Sequence, residues 1–359
     1  MFLPLQTIPV IGMEPGAFLV LVIAALAGGA LGAALGALPS FVFTGFVVFL
    51  GEGLAILQSE VGELPSVPNG ELAVGVTGVI GFGAVTGPHI SFAAGVAASA
   101  YVGKKYPEMN PSGWDYHLGK NITEAYGTKP DILAVGAIFG VLGMLIAKLS
   151  GGLGLPTDGI ALSVFLTAMI ARLVFGYPLI GKPAGDGYLD MGPFEREETR
   201  DQDGDVHAGN AGRLAVEPWL PHQYKWVGVT AIGLVGGVLG GYIWLKTGSI
   251  FLGYAISAMS LLFLNLGVEK IPVTHHITLL GSVGAVLAMS MFGSPVAAIV
   301  AAGVVGALSG LSGEALQRIF YSHSGTHVDP PAMAIAFMMF IIGVLYLLGV
   351  LPNAGYLGL

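Results

Sequence analysis

No cysteine occurs among the 359 residues. Disulfides, thiolate metal sites and cysteine nucleophiles are therefore excluded, although the absence fixes no compartment. Charge is nearly as scarce. Only 10% of residues are Asp, Glu, Lys or Arg, against roughly 25% in an ordinary soluble domain. So few charges cannot cover the surface of a soluble protein of this length. Also missing are a P-loop, a Gly-x-Ser-x-Gly elbow, a His-Glu-x-x-His pair and any basic stripe interleaved with aromatics. ATP hydrolysis, zincin proteolysis and nucleic-acid binding are accordingly without support.

What is present is apolar. Hydrophobic residues make up 54% of the chain and the mean hydropathy is +0.79. Runs of about 20 apolar residues follow one another, each long enough to cross a bilayer as a helix. The expected fold class is an all-α integral membrane protein with about ten transmembrane helices, reading spans at 16–38, 40–58, 72–102, 131–150, 157–178, 226–246, 249–267, 272–292, 295–316 and 330–350. The opening MFLPLQTIPVIGMEPG has no basic stretch and is expected to be retained rather than cleaved as a signal. Glycine is abundant, with 57 residues gathered in runs such as ALAGGALGAALGAL (25–38) and VGGVLGGY (235–242). In a membrane such runs let helices approach closely, so tight helix packing is expected.

Two polar loops interrupt the spans, at 103–129 and 179–225. The first carries Lys104, Lys105, Lys120 and Lys129; the second carries Lys182, Arg196, Arg200, Arg213 and Lys225. Segment 59–71 and the C-terminal tail carry no Lys or Arg. This bias places both basic loops in the cytoplasm of a cell membrane and both termini outside. Segment 71–103 is long for one straight span and short for two. A helix broken or re-entrant at Gly87-Pro88-His89 suits it best, and a hairpin there would instead give eleven spans.

The chain also resembles itself. Residues 26–45 align without gaps on 234–253, with identities that include Gly28/Gly236, Gly29/Gly237, Gly32/Gly240 and Gly45/Gly253. His89-Ile-Ser resembles His276-Ile-Thr, and Gly127-Thr-Lys-Pro-Asp131 resembles Gly325-Thr-His-Val-Asp329. Two internally related halves are expected: 1–178, with one extra helix, and 226–359, separated by the acidic loop 179–225. The first match runs in opposite directions in the two halves, an inverted repeat of the kind many transporters use. The third would run the same way in both. Either a segment is re-entrant or one match is accidental.

The polar groups inside the spans are the functional candidates. Pro88 frees carbonyls one turn before it, and a half-helix starting at His89 would aim its amides into the membrane. Gly87, Pro88, His89, Ser91, His275, His276 and Thr278 are expected to line a substrate or ion path, against the plainer reading of a proline kink with satisfied histidines. Glu52, Asp131 and Asp329 are candidate ion or proton groups; helix capping is the plain alternative for the two aspartates. Arg172, near the end of its span, is expected to snorkel. His323, His327 and Asp329, with His275 or His276 nearby in sequence, form a candidate metal set, although Ser, Gly and Pro around them argue against a helix there. No cofactor is otherwise expected. Asp201, Asp203 and Asp205 approach a calcium loop but lack its downstream glutamate.

GPHISFAAGVAASAYVGKK (87–105) and RLAVEPWLPHQYKW (213–226) resemble a family of uncharacterised multi-pass membrane proteins of halophilic archaea and related prokaryotes. The resemblance implies a prokaryotic plasma membrane and a salt-adapted host, and it carries no catalytic or ligand residue. The leading expectation is a channel or secondary transporter for a small solute or ion, embedded in lipid, homo-oligomeric and not an enzyme. A membrane scaffold within a larger assembly and a membrane-embedded metalloenzyme are the alternatives.

Overall fold

Proline and short polar residues set where the helices begin. In the computed structural model, which describes residues 7–61, 74–200 and 213–359, helix α1 (Pro15–Leu35) starts at a proline, with the Glu14 carboxylate accepting from Ala17 N at 2.9 Å. Helix α2 spans Ala37–Val61. A π-helical turn over Val74–Gly81 and a run of tight turns then lead into α3 (Ser91–Lys105). Next come α4 (Pro130–Gly152) and α5 (Gly159–Val174), the latter capped by Asp158, which accepts from Ala161 N at 2.8 Å. After the loop come α6 (Trp226–Thr247), α7 (Phe251–Asn265), α8 (His275–Phe292), α9 (Pro295–Phe320) and α10 (Pro330–Leu347). Ser294 caps α9 and Asp329 caps α10. Such caps satisfy amides that a helix start leaves open, which lipid would not do.

Glycine sets how the helices pack. Gly29 of α1 lies against Gly136 and Gly140 of α4, and Gly237 of α6 lies against Ala302 and Gly306 of α9. A Cβ at Gly32 would overlap the Ser91 carbonyl, and one at Gly240 would overlap the Thr278 carbonyl. These contacts hold α1, α3 and α4 in one cluster and α6, α8 and α9 in another. Two helix pairs bridge the clusters, α2 with α7 and α5 with α10. Between the latter two, Thr157 donates to the Ala336 carbonyl at 2.7 Å. The largest apolar core runs through both clusters, with Phe41, Phe92, Val164, Tyr254, Leu280 and Met339 among its members.

The outer faces are apolar and exposed, as at Leu19, Val20 and Ile23 of α1, Val227 and Val235 of α6, and Val296 and Val300 of α9. Exposed apolar surface on this scale suits contact with lipid or with another protein. Seven helices (α1, α2, α4, α6, α8, α9 and α10) are long and apolar enough to cross a membrane. The other three segments expected to cross are shorter: α3 has 15 residues, α5 has 16 and α7 has 15. At about 1.5 Å per residue, none of these alone matches a hydrocarbon core of about 30 Å.

Asp131 and Asp329, paired by the third sequence match, hold different positions. Asp131 opens α4, which packs on α1, whereas Asp329 opens α10, which packs on α5 and α9. The helix that packs on α6 as α4 packs on α1 is α9. Asp131 also does not cap. Lys129 holds the cap position, and the Asp131 carboxylate accepts from Tyr101 at 2.9 Å, Tyr106 at 2.6 Å and Lys105 at 2.7 Å. Asp201, Asp203, Asp205 and most of the 59–71 segment lie outside the described residues.

Candidate functional site

The two clusters do not close completely on each other. A cavity of about 390 Å³ lies between them, bounded by α2, the turn before α3, the start of α5, α7, the start of α8, the start of α10 and the C-terminal tail. Its walls are largely aromatic. Phe41 meets Phe92 at 5.8 Å, Tyr254 at 6.0 Å and the His275 ring at 4.6 Å between centroids. Phe82 stands 5.2 Å from Phe251, which stands 5.2 Å from Tyr356. Tilted and edge-on contacts of this kind suit the ring quadrupoles.

Polar groups enter the cavity at few points. Asp158 and Asp329 both line it, each also bonded to the first turn of its helix. The second Asp158 oxygen accepts from the Tyr356 hydroxyl at 2.7 Å. Burial holds that phenol well above its ordinary range, so Tyr356 remains a donor. Asp329 Oδ1 lies 3.4 Å from His327 Nε2, and burial lowers the His327 pKa. Ser150, Thr157 and His275 also line it, as do Trp219 and Tyr254 with their polar tips, and Nδ1 of His275 has no hydrogen-bond partner. Among the described residues no Lys or Arg reaches the cavity wall.

Of the residues singled out in the sequence, Pro88, His275 and Asp329 line this cavity. His89, Ser91, His276 and Thr278 lie where helices and turns meet closely. The His89 carbonyl abuts Gly143, and the Ser91 hydroxyl bonds back to Gly87 O at 3.3 Å. The His276 carbonyl accepts from Ser309 at 3.1 Å, and the Thr278 hydroxyl donates to His275 O at 3.1 Å. Gly87 itself packs closely on the Gly83 carbonyl. Glu52 lies apart, accepting from Thr77 at 3.0 Å and Ser249 at 2.5 Å.

The metal set does not assemble. Among the described residues no three His, Cys, Asp or Glu side chains gather where they could hold an ion. His323 and His327 sit on a loop rather than one helical face. The His323 ring faces the Tyr188 carbonyl at 3.1 Å, while His327 faces Asp329. Burial pushes His323 down to about 4, so it is neutral at pH 7.

Arg172 does not snorkel. It is fully buried, donating to Thr326 Oγ1 at 2.7 Å, Leu179 O at 2.6 Å and Phe320 O at 2.6 Å, and also to Ser324. Nearby, buried Lys120 pairs with Glu217 at 2.6 Å, and Glu217 also accepts from Arg213. These bonds tie the loops at 103–129, 179–225 and 321–329 into one polar cap over the helix ends. Asp158, the aromatic walls and this cap were not singled out in the sequence. For Asp158 a signal existed: Pro-Thr-Asp-Gly ahead of an apolar run is a helix-start signature.

The chain belongs to a family of unknown function (DUF7973), whose model matches residues 11–359. No curated protein and no solved structure matches it.

Proposed function

We propose that this protein is a channel or secondary transporter for a small solute, with its path running through the cavity between two related halves. The observation that carries the proposal is that both halves line the cavity, each contributing the aspartate that starts its last helix: Asp158 for α5 and Asp329 for α10.

The halves are five crossings each, with α1, α2, the 74–105 segment, α4 and α5 corresponding in order to α6 through α10. Several separate contacts support that register. Gly32 against Ser91 corresponds to Gly240 against Thr278, and Gly29 against Gly140 corresponds to Gly237 against Gly306. The close approach of Gly143 to the His89 carbonyl corresponds to the hydrogen bond from Ser309 to the His276 carbonyl. Counting one crossing per segment gives the second half the opposite orientation to the first. Asp158 rather than Asp131 is then the partner of Asp329, which removes the parity conflict. Both polar loops fall on one side, the cytoplasmic side of a prokaryotic plasma membrane by their Lys and Arg content. Inverted halves around a mid-membrane site are a common transporter plan.

The test is solute flux into proteoliposomes, measured across neutral, cationic and anionic small solutes. At least one class is expected to enter faster than into protein-free vesicles. Ala161→Leu, which adds bulk to the cavity wall, is expected to abolish that flux while elution and melting temperature are retained. A scaffold would move none of the panel.

A further inference from the structure

We infer that the cavity binds a small organic cation, an ammonium group on an apolar body, with Asp329 as its counter-charge and the aromatic walls as its packing surface. This rests on the transport reading for its purpose but not for its chemistry.

The charge balance of the lining is the first argument. Its acidic side chains are two, Asp158 and Asp329, and among the described residues neither forms an ion pair with Lys or Arg. Asp329 is buried, and a carboxylate removed from water without a counter-charge is costly. The start of α10 returns only about half a positive charge. His327, 3.4 Å away, is held neutral by burial. A cationic guest would supply the missing charge, whereas an anion would face two carboxylates.

The walls are the second argument. Phe41, Phe82, Phe92, Phe251 and Tyr254 all line the space, and their ring faces attract a cation, most strongly when water is excluded. Size is the third. About 390 Å³ falls in the usual range for small-molecule sites, roughly 300–1,000 Å³. A bare metal ion would need about six or more oxygen ligands, or a compact set of His and carboxylates, which the described residues do not bring together.

The test is binding to the detergent-purified protein, read by thermal shift and calorimetry. The probes are choline and benzyltrimethylammonium, with 3,3-dimethyl-1-butanol as choline's neutral isostere and 3,3-dimethylbutanoate as its anionic one. At least one cation is expected to bind, with the neutral and anionic isosteres at least tenfold weaker than choline. Asp329→Asn keeps a capping oxygen for Ala332 N, so the unliganded melting temperature is retained while cation affinity falls at least tenfold. Tyr254→Leu is expected to weaken the cations more than the neutral isostere. Equal binding of choline and its neutral isostere would make the cavity a plain apolar pocket, lipid tails included, and would overturn the inference. So would unchanged affinity in Asp329→Asn, or no binding of either cation. Cations that bind in this charge-dependent way without crossing proteoliposomes would sink the transport reading alone. Flux of a neutral solute without cation binding would sink this one alone.

Discussion

Arg172 shows how far a single side chain departs from what its sequence position suggests. A cation one turn from the end of an apolar run normally reaches for water. Here loop 321–329 folds over the end of α5 and presents carbonyls and hydroxyls that take up the guanidinium. Those acceptors are distant in sequence, so nothing local announces them. Replacing Arg172 with Met leaves several buried carbonyls unsatisfied, each costing about 1–3 kcal/mol, and the melting temperature is expected to fall by several degrees or more. Arg172→Lys is expected to recover only part of that, because an ammonium lacks the planar fork. The loop histidines set a pH dependence. Burial holds His323 near 4 and also lowers His327, so on acidification the unfolded chain, whose histidines titrate near 6.5, takes up protons first. The contribution of these histidines to stability is therefore expected to be full above pH 6.5 and to be lost between about 6.5 and 4. His323→Gln should flatten part of that decline in a melting series across pH.

At the scale of elements, the glycine runs were legible and their partners were not. The composition of 25–38 and 235–242 announced close packing, and both runs do sit at helix crossings. Which helix each glycine meets depends on chain direction and tertiary register, which a local pattern does not encode. Gly32→Val and Gly240→Val would each drive side-chain atoms into a backbone carbonyl, on the Ser91 and Thr278 helices respectively. Overpacking commonly costs about 1–3 kcal/mol, and contact with backbone should put both variants at the upper end or beyond. Gly228→Ala has open space around it and serves as the control, expected to melt with the parent. Helix α3 starts at Ser91, just after Gly87-Pro88, in keeping with a proline that cannot continue a hydrogen-bonded helix. His89 was harder to read. An ionisable side chain in an apolar run suggests a site, yet His89 meets α4 through its carbonyl at Gly143, its ring lies by Gly87, and it is not on the cavity wall.

For the whole molecule, hydropathy and charge scarcity announced the apolar helices, seven of which are long enough to cross a membrane, and the matching glycine runs are the sequence basis for the two related halves proposed above. Under the register proposed above, Asp158 rather than Asp131 corresponds to Asp329, and the packing of α4 on α1 and of α9 on α6 supports that register over the five-residue resemblance. The cavity could not be read, since its aromatic residues are spread from Phe41 to Tyr356 and none forms a local motif. Sidedness is testable because the chain has no cysteine, so a single introduced thiol reports alone. Ser112→Cys and Lys182→Cys, both exposed in the polar loops, are expected to react with an impermeant thiol reagent only from the cytoplasmic face. Leu153→Cys, exposed between α4 and α5, is expected to react only from outside. The most direct measurement of a path through the cavity uses Ala332→Cys, a small change on its wall. If the cavity opens to each face in turn, this thiol reacts with impermeant reagent applied to either side of the membrane, and a bound solute slows both reactions. Protection from both sides, with full reaction after unfolding, would mean that the cavity is sealed and that the protein does not conduct solute through it.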